Sequence, residues 1–227
     1  MRKISLDKLN EIFRAVSSDN TLYIPVDANG GARFEKWEEG KTLSDAPNTV
    51  RSAKDFFFPQ TENLMDFKTE GKTVEVIDTR SECEDFVIFG VRACDVKSFE
   101  VLDRVFLSEP VDTYYKNRRE HGVIVSLACN KPVETCFCHT FGIDASDPDG
   151  DVVCWKDDDA LYMKAKTEKG EKLLKSIESV TESADENAAN KQRKIIADRL
   201  EKLPLRSLSA DAFGDGKTSE FFDAPEW

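Results

Sequence analysis

Two apolar stretches decide the fold: residues 85–91 (DFVIFGV) and residues 122–128 (GVIVSLA). Each is nearly continuous in apolar residues, which is typical of a strand that is buried on both faces near the middle of a sheet. Between them, apolar side chains recur at helical spacing from Val96 to Phe106. This strand–helix–strand order predicts a βαβ unit with a right-handed crossover and two parallel strands.

The rest of the chain extends this unit into an α/β domain with a mixed, largely parallel central sheet, flanking helices and peripheral β-hairpins. Alternating runs on either side of short turns predict hairpins over residues 21–37 and 152–166. Alternation over residues 73–77 predicts a half-buried strand, and Ser5 is expected to cap a first helix. We expect residues 1–204 to form one domain and residues 205–227 to form a C-terminal tail.

Four cysteines stand where they could share one site. Cys94 and Cys129 follow the two central strands, and the carboxyl ends of parallel strands meet at one edge of a sheet, where ligand sites form. Cys136 and Cys138 form a C-x-C pair, which in an extended stretch points both side chains to the same face. Four thiolates are the ligand set of an iron–sulfur cluster or of a structural zinc.

The other candidate ligands are weaker. Cys83 lies in an acidic turn and Cys154 inside a predicted strand, so we expect both to lie apart from the four-cysteine site. His139 follows the C-x-C pair, where it could bind a metal or donate to sulfur, but a solvent-facing loop histidine is the simpler interpretation. No glycine-rich phosphate-binding motif is present.

Composition excludes several classes of protein. The 227 residues carry a formal net charge of −12, which argues against a nucleic-acid binder because such proteins use Lys and Arg to displace phosphate counterions. No segment reaches the roughly 20 apolar residues of a membrane span, and the N-terminus lacks the pattern of a signal peptide. We therefore expect a cytoplasmic protein, whose six cysteines are ligands or free thiols.

Four motifs in order resemble a known family. Residues 52–62 (SAKDFFFPQTE), 90–95 (GVRACD), 112–119 (DTYYKNRR) and 129–138 (CNKPVETCFC) are similar to the N-terminal region of a family of iron–sulfur electron-transfer proteins. This family comprises the electron-transfer subunits of anaerobic sulfite reductases and the beta subunits of sulfhydrogenases. The resemblance is good over residues 50–170 and looser elsewhere.

The resemblance implies a function and partners. It implies that Cys94, Cys129, Cys136 and Cys138 bind an iron–sulfur cluster, of the 4Fe-4S type, and that the chain transfers electrons while substrate chemistry belongs to another subunit. It also implies a redox complex with two further subunits, one a flavin-containing electron carrier and the other catalytic. Family members continue into a ferredoxin-like module that is absent from this chain, and the tail over residues 205–227 would lead toward it.

Two alternatives stay open at the level of sequence. The four thiolates could hold zinc in a stabilised interaction domain, since tetrahedral four-cysteine sites are common. The chain could also be a flavin-binding or small-molecule-binding domain whose cysteines are structural.

Overall fold

Among the residues that it describes, the computed structural model has an eight-stranded mixed sheet in the order β10-β1-β9-β8-β7-β6-β2-β3 and a separate two-stranded sheet, β4-β5. The model describes the chain except for Asp215, Phe221, Ala224, Glu226 and Trp227, and except for the side chains of Ser81, Glu82 and Thr218. The predicted tail over residues 205–227 therefore lies partly outside the described residues.

The strands are β1 (Arg2–Ser5), β2 (Thr21–Ala28), β3 (Gly31–Lys36), β4 (Met65–Glu70), β5 (Thr73–Asp78), β6 (Phe86–Val91), β7 (Gly122–Leu127), β8 (Val152–Lys156), β9 (Ala160–Ala165) and β10 (Glu182–Ser183). The α-helices are α1 (Leu9–Ser17), α2 (Ala93–Phe106), α3 (Thr113–His121), α4 (Glu168–Ser176), α5 (Glu186–Leu200) and α6 (Lys217–Glu220).

Parallel pairing at the centre of the sheet confirms the predicted α/β fold. β6 pairs in parallel with β2 on one side and with β7 on the other, and β7 pairs in parallel with β8. Every residue of β6 is buried, as the continuous apolar run predicts. The crossover from β6 to β7 contains two helices, α2 and α3, where the sequence pattern indicated one.

Helices cover both faces of the sheet because side chains alternate along each strand. On one face, Phe89 and Val125 pack with Phe13 of α1 and Leu173 of α4. On the other face, Ile88 and Ile124 pack with α2 and α3, and a smaller cluster around Ile196 joins α5 to β8. The predicted hairpins over residues 21–37 and 152–166 are β2–β3 and β8–β9, and both belong to the main sheet.

Two expectations about the ends of elements are wrong. Ser5 caps no α-helix, because residues 2–5 pair as β1 with β9 and β10, and its hydroxyl makes no capping hydrogen bond; α1 begins at Leu9. The strand over residues 73–77 exists but is not half-buried. It pairs with β4 in the separate sheet, and Val74 and Val76 are 60% and 65% exposed.

A charged network joins α2 to α3 on the face of the sheet that these helices cover. Arg119 donates from Nε and from its terminal nitrogen to the two carboxylate oxygens of Asp103, both at 2.9 Å, and the Tyr115 hydroxyl donates to the same carboxylate at 2.6 Å. The guanidinium also lies over the ring of Phe57, 4.8 Å from its centroid. Burial opposes ionisation of Asp103, but these hydrogen bonds outweigh it and lower the pKa of the carboxyl.

Asp103→Asn should therefore destabilise the fold in a pH-dependent way. The pKa of Asp103 is lower in the folded chain than in the unfolded chain, where it is about 3.9. The ionised carboxylate therefore makes its full contribution to the free energy of unfolding above the unfolded pKa, and that contribution is lost as pH falls through the folded pKa. We expect a loss of about 1–3 kcal/mol in the free energy of unfolding at pH 7, shrinking from about pH 4 downward.

Urea unfolding of the wild type and the variant across this pH range measures the effect. Glu100→Gln is the matched control, because Glu100 is also a carboxylate of α2 and pairs with Lys97 at the surface, where such pairs contribute at most about 1 kcal/mol. A difference between wild type and Asp103→Asn that is the same at every pH would contradict the role of the ionised carboxylate.

Candidate metal centre

The parallel strands β6 and β7 deliver the first two predicted cysteines to one edge of the sheet. Cys94 lies in the first turn of α2, directly after β6, and its side chain is exposed. Cys129 follows β7 and is half-buried; its backbone N–H donates to the carbonyl of Ala145 at 2.9 Å. The register of β6 against β7 thus places both thiols at the carboxyl edge, as the sequence predicts.

The C-x-C pair reaches the same edge through a turn. The backbone N–H of Cys136 donates to the carbonyl of Val133 at 2.9 Å, and the N–H of Val133 donates to Cys136 Sγ at 3.4 Å. Cys138 begins a short 3-10 helix. The expectation of an extended backbone is wrong here, because Phe137 has ψ 33°, outside the β region; the turn instead brings the two cysteines together.

The four thiols are electrostatic neighbours. The thiols of Cys94 and Cys138 share a hydrogen bond. Cys129 interacts with Cys94 and Cys136, and Cys138 interacts with all three of the others. The structure therefore brings together the four cysteines that the sequence singled out.

The remaining two cysteines have other surroundings. Cys83 lies beside Arg118, Asp85 and Glu84, and burial raises its pKa. Cys154 is fully buried within the core between the sheet and its helices, where burial raises the pKa of its thiol strongly. Cys154 is thus a packing residue, and Cys83 is a half-buried thiol of the acidic turn.

The donor set is that of a thiolate-bound group, either an iron–sulfur cluster or a zinc ion. A tetrahedral zinc with Zn–S bonds of about 2.3 Å would hold its sulfurs roughly 3.8 Å apart. Among the described residues, no group of three or more His, Cys, Asp or Glu side chains is arranged to hold a single metal ion. The four sulfurs are close enough to influence one another's ionisation.

The environment makes the thiols of Cys94, Cys129 and Cys138 differ in how readily they ionise. The hydrogen bond with Cys138 lowers the pKa of Cys94 to about 7, and the backbone N–H groups of Cys94 and Asp95 at the start of α2 also lower it. A helix N-terminus stabilises a thiolate in this way. The same bond raises the pKa of Cys138, and burial raises the pKa of Cys129. Cys94 is therefore more readily ionised than Cys129 or Cys138.

Arg92 is a functional candidate that the sequence analysis missed. Its guanidinium donates to the carbonyls of Ala46 at 2.9 Å and Ala128 at 3.4 Å. Burial lowers its pKa, while interaction with Cys129, Asp45 and Cys94 opposes this shift. Only its position two residues before Cys94 could have drawn attention to it. A half-buried cation beside the thiols favours their ionised form.

Helix α5 holds the loop between Cys129 and Cys136 through Asn130. Gln192 Nε2 donates to Asn130 Oδ1 at 2.7 Å, and Arg199 donates to the carbonyl of Asn130 at 2.7 Å. Asn130 in turn donates to the carbonyl of Lys156 at the end of β8, at 2.7 Å. This loop residue gave no signal in the sequence, because loop asparagines are common.

The chain that follows α5 forms a second wall of the site. A cavity of about 400 Å³ is lined by Cys136 and Cys138 on one side and by Leu200 and Arg206 on the other. His139 is half-buried and its Nε2 lies 3.2 Å from the carbonyl of Leu208. The expectation of a solvent-facing His139 is therefore wrong: the ring contacts the tail.

A larger cavity lies elsewhere and offers less chemistry. It measures about 1040 Å³ and lies between α2, α3 and the end of β9. Its basic side chains already have partners: Lys116 with Glu120, Arg119 with Asp103, Lys164 with Glu186, Lys166 with Asp147, and Lys169 with the carbonyls of Arg119 and Gly122.

None of the helices among the described residues combines the length and the apolar character needed to cross a bilayer.

Comparison with known proteins identifies a relative along nearly the whole chain. The chain is 28% identical over 214 residues to the Sulfhydrogenase 2 subunit beta of Pyrococcus furiosus. The match covers 94% of this chain and 62% of that protein, so this chain spans less than two thirds of the relative's length. No protein-family model and no solved structure matches the chain. The similarity to this protein supports the resemblance carried by the motifs, and the family it supports is that of the sulfhydrogenase beta subunits.

Proposed function

We propose that the chain is an iron–sulfur domain of an electron-transfer subunit in a cytoplasmic anaerobic redox complex. Cys94, Cys129, Cys136 and Cys138 would hold one 4Fe-4S cluster at the carboxyl edge of the sheet. The single observation that carries the proposal is the mutual proximity of these four thiols and no others. When bound, such a cluster accepts and releases single electrons.

One argument favours a cluster over zinc as the bound group. The relative is named as a subunit of a sulfhydrogenase, and a redox enzyme needs electron carriers, whereas zinc has no redox chemistry. We therefore assign the site to electron transfer, and substrate chemistry to another subunit.

The name of the relative also bears on partners. A beta subunit belongs to a complex with other subunits. We propose that this chain has two kinds of partner, a flavin-containing subunit that carries electrons and a second subunit that is catalytic. The protein would orient the cluster between them and would tune its potential through burial, hydrogen bonds to sulfur and nearby charge.

Substitution of each cysteine tests the ligand set. After anaerobic purification, Cys94→Ser, Cys129→Ser, Cys136→Ser and Cys138→Ser should each lose most of the bound iron and acid-labile sulfide, because a thiolate ligand is removed. Cys83→Ser and Cys154→Ala are the controls and should keep wild-type iron. Stoichiometric zinc in place of iron would instead establish the zinc-stabilised domain, and full iron in any of the four serine variants would remove that cysteine from the ligand set.

Arg92 provides a test of how the protein tunes the cluster. A positive charge stabilises the more negative, reduced state, so Arg92→Gln should lower the reduction potential of the bound cluster. Arg92→Lys keeps the charge and should shift the potential less, and Lys131→Gln removes a charge from an exposed side chain that solvent screens.

A redox titration followed by electron paramagnetic resonance measures these potentials. Comparing iron content among the three variants separates a change of potential from a loss of cluster. A potential in Arg92→Gln that equals or exceeds that of the wild type would contradict the electrostatic role of Arg92.

A further inference from the structure

The β4–β5 hairpin projects from the domain with its strands exposed. All six residues of β4 are exposed, and so is every residue of β5 except the half-buried Ile77. The two strands pair with each other in a separate sheet. A two-stranded hairpin of this kind is only marginally stable without a third strand or a packed face.

One face of this hairpin is apolar. In the antiparallel register, Phe67 lies opposite Val76 and Thr69 lies opposite Val74. Since side chains alternate along a strand, Met65, Phe67, Val74 and Val76 share one face with Thr69 and Asp78. The four apolar side chains are 55%, 68%, 60% and 65% exposed. The opposite face has the charged side chains Asp66, Lys68, Glu70 and Glu75. Exposed apolar patches rimmed by polar residues mark interaction sites in soluble proteins.

The base of the hairpin is fixed to α3. The Tyr114 hydroxyl donates to the carbonyl of Leu64 at 2.5 Å, and the Thr79 hydroxyl donates to the carbonyl of Asn63 at 2.8 Å. In the short 3-10 helix that follows β5, Arg80 donates to the Thr113 hydroxyl at 2.7 Å. The hairpin is therefore held in a defined position, and its apolar face is presented by a fixed support.

We propose that this apolar face, formed by Met65, Phe67, Val74 and Val76, docks into an apolar groove with a basic rim on another subunit of the redox complex. The class of partner rests on the proposed function, while the face itself does not. Between Met65 and Asp78 the hairpin has four acidic side chains (Asp66, Glu70, Glu75, Asp78) and two lysines (Lys68, Lys72). Asp78 pairs with Arg80, whereas Asp66, Glu70 and Glu75 lie on the outer face, where a groove that encloses the hairpin would meet them with its rim. This acidic excess, on a chain with a formal net charge of −12, complements a basic rim.

Charge also disfavours a second copy of this chain as the occupant. Each copy has a formal net charge of −12, so pairing two copies through this face would bring two strongly acidic chains together. Like charges across an interface weaken binding, whereas complementary electrostatic potentials accelerate association and orient the partner. The occupant is thus a different chain, with positive charge around an apolar groove.

The test uses the chain within its assembled complex, purified through an affinity tag on this chain. Phe67→Asp and Val76→Asp each place one negative charge on the apolar face. Thr73→Asp is the matched control, because it adds the same charge to the polar face of the same hairpin. We expect each apolar-face variant to lower recovery of the other subunits about tenfold or more, and Thr73→Asp to leave recovery near the wild-type level.

Two measurements on the isolated chain complete the test. Its melting temperature should be the same in all variants, since these side chains are exposed, and its sedimentation should be that of a monomer. Full recovery of the complex with Phe67→Asp, or an equal drop in melting temperature and recovery, would overturn the proposal. So would a wild-type dimer that Phe67→Asp dissociates. Iron content is measured in the same samples, so a failure of the cluster and a failure of docking are read separately.

Discussion

The parallel pairing of β6 with β7 is the constraint on which the rest of the site depends. It brings the carboxyl ends of two neighbouring strands to one edge of the sheet, so that Cys94 and Cys129 lie side by side although the crossover separates them in sequence. The continuous burial of β6 keeps this pairing at the centre of the sheet. The Cys136–Cys138 turn then has only to fold back over that edge to complete a set of four thiols.

Electrostatics and burial act against each other at this edge. Burial disfavours ionised thiols and raises the pKa of Cys129, whereas the start of α2 and the guanidinium of Arg92 favour ionisation. Thiolates, not thiols, bind metals. The guanidinium of Arg92 and the N-terminus of α2 offset part of the negative charge of the thiolates, so the chain can hold several ionised sulfurs in a half-buried site. These same charges would act on the reduction potential of a bound cluster.

Much of the fold and most of the site could be predicted from the sequence, for reasons that differ between residues. Long apolar runs identify the central strands because two-sided burial leaves little choice of residue, and strand ends then locate Cys94 and Cys129. Ser5 and Val76 were misjudged because local pattern does not reveal which strand pairs with which, or whether a face finds a partner. Arg92, Asn130 and His139 depend on contacts with residues far away in sequence, which no local pattern encodes.

Native mass spectrometry of the anaerobically purified wild-type chain tests the central claim most directly, because it weighs whatever the four cysteines hold without assuming its identity. The account predicts one added mass equal to four irons and four sulfides, and its loss when Cys94 is replaced by serine. A wild-type chain that has the mass of a single zinc, or one whose only added mass is a flavin, would contradict the assignment of an iron–sulfur cluster to Cys94, Cys129, Cys136 and Cys138.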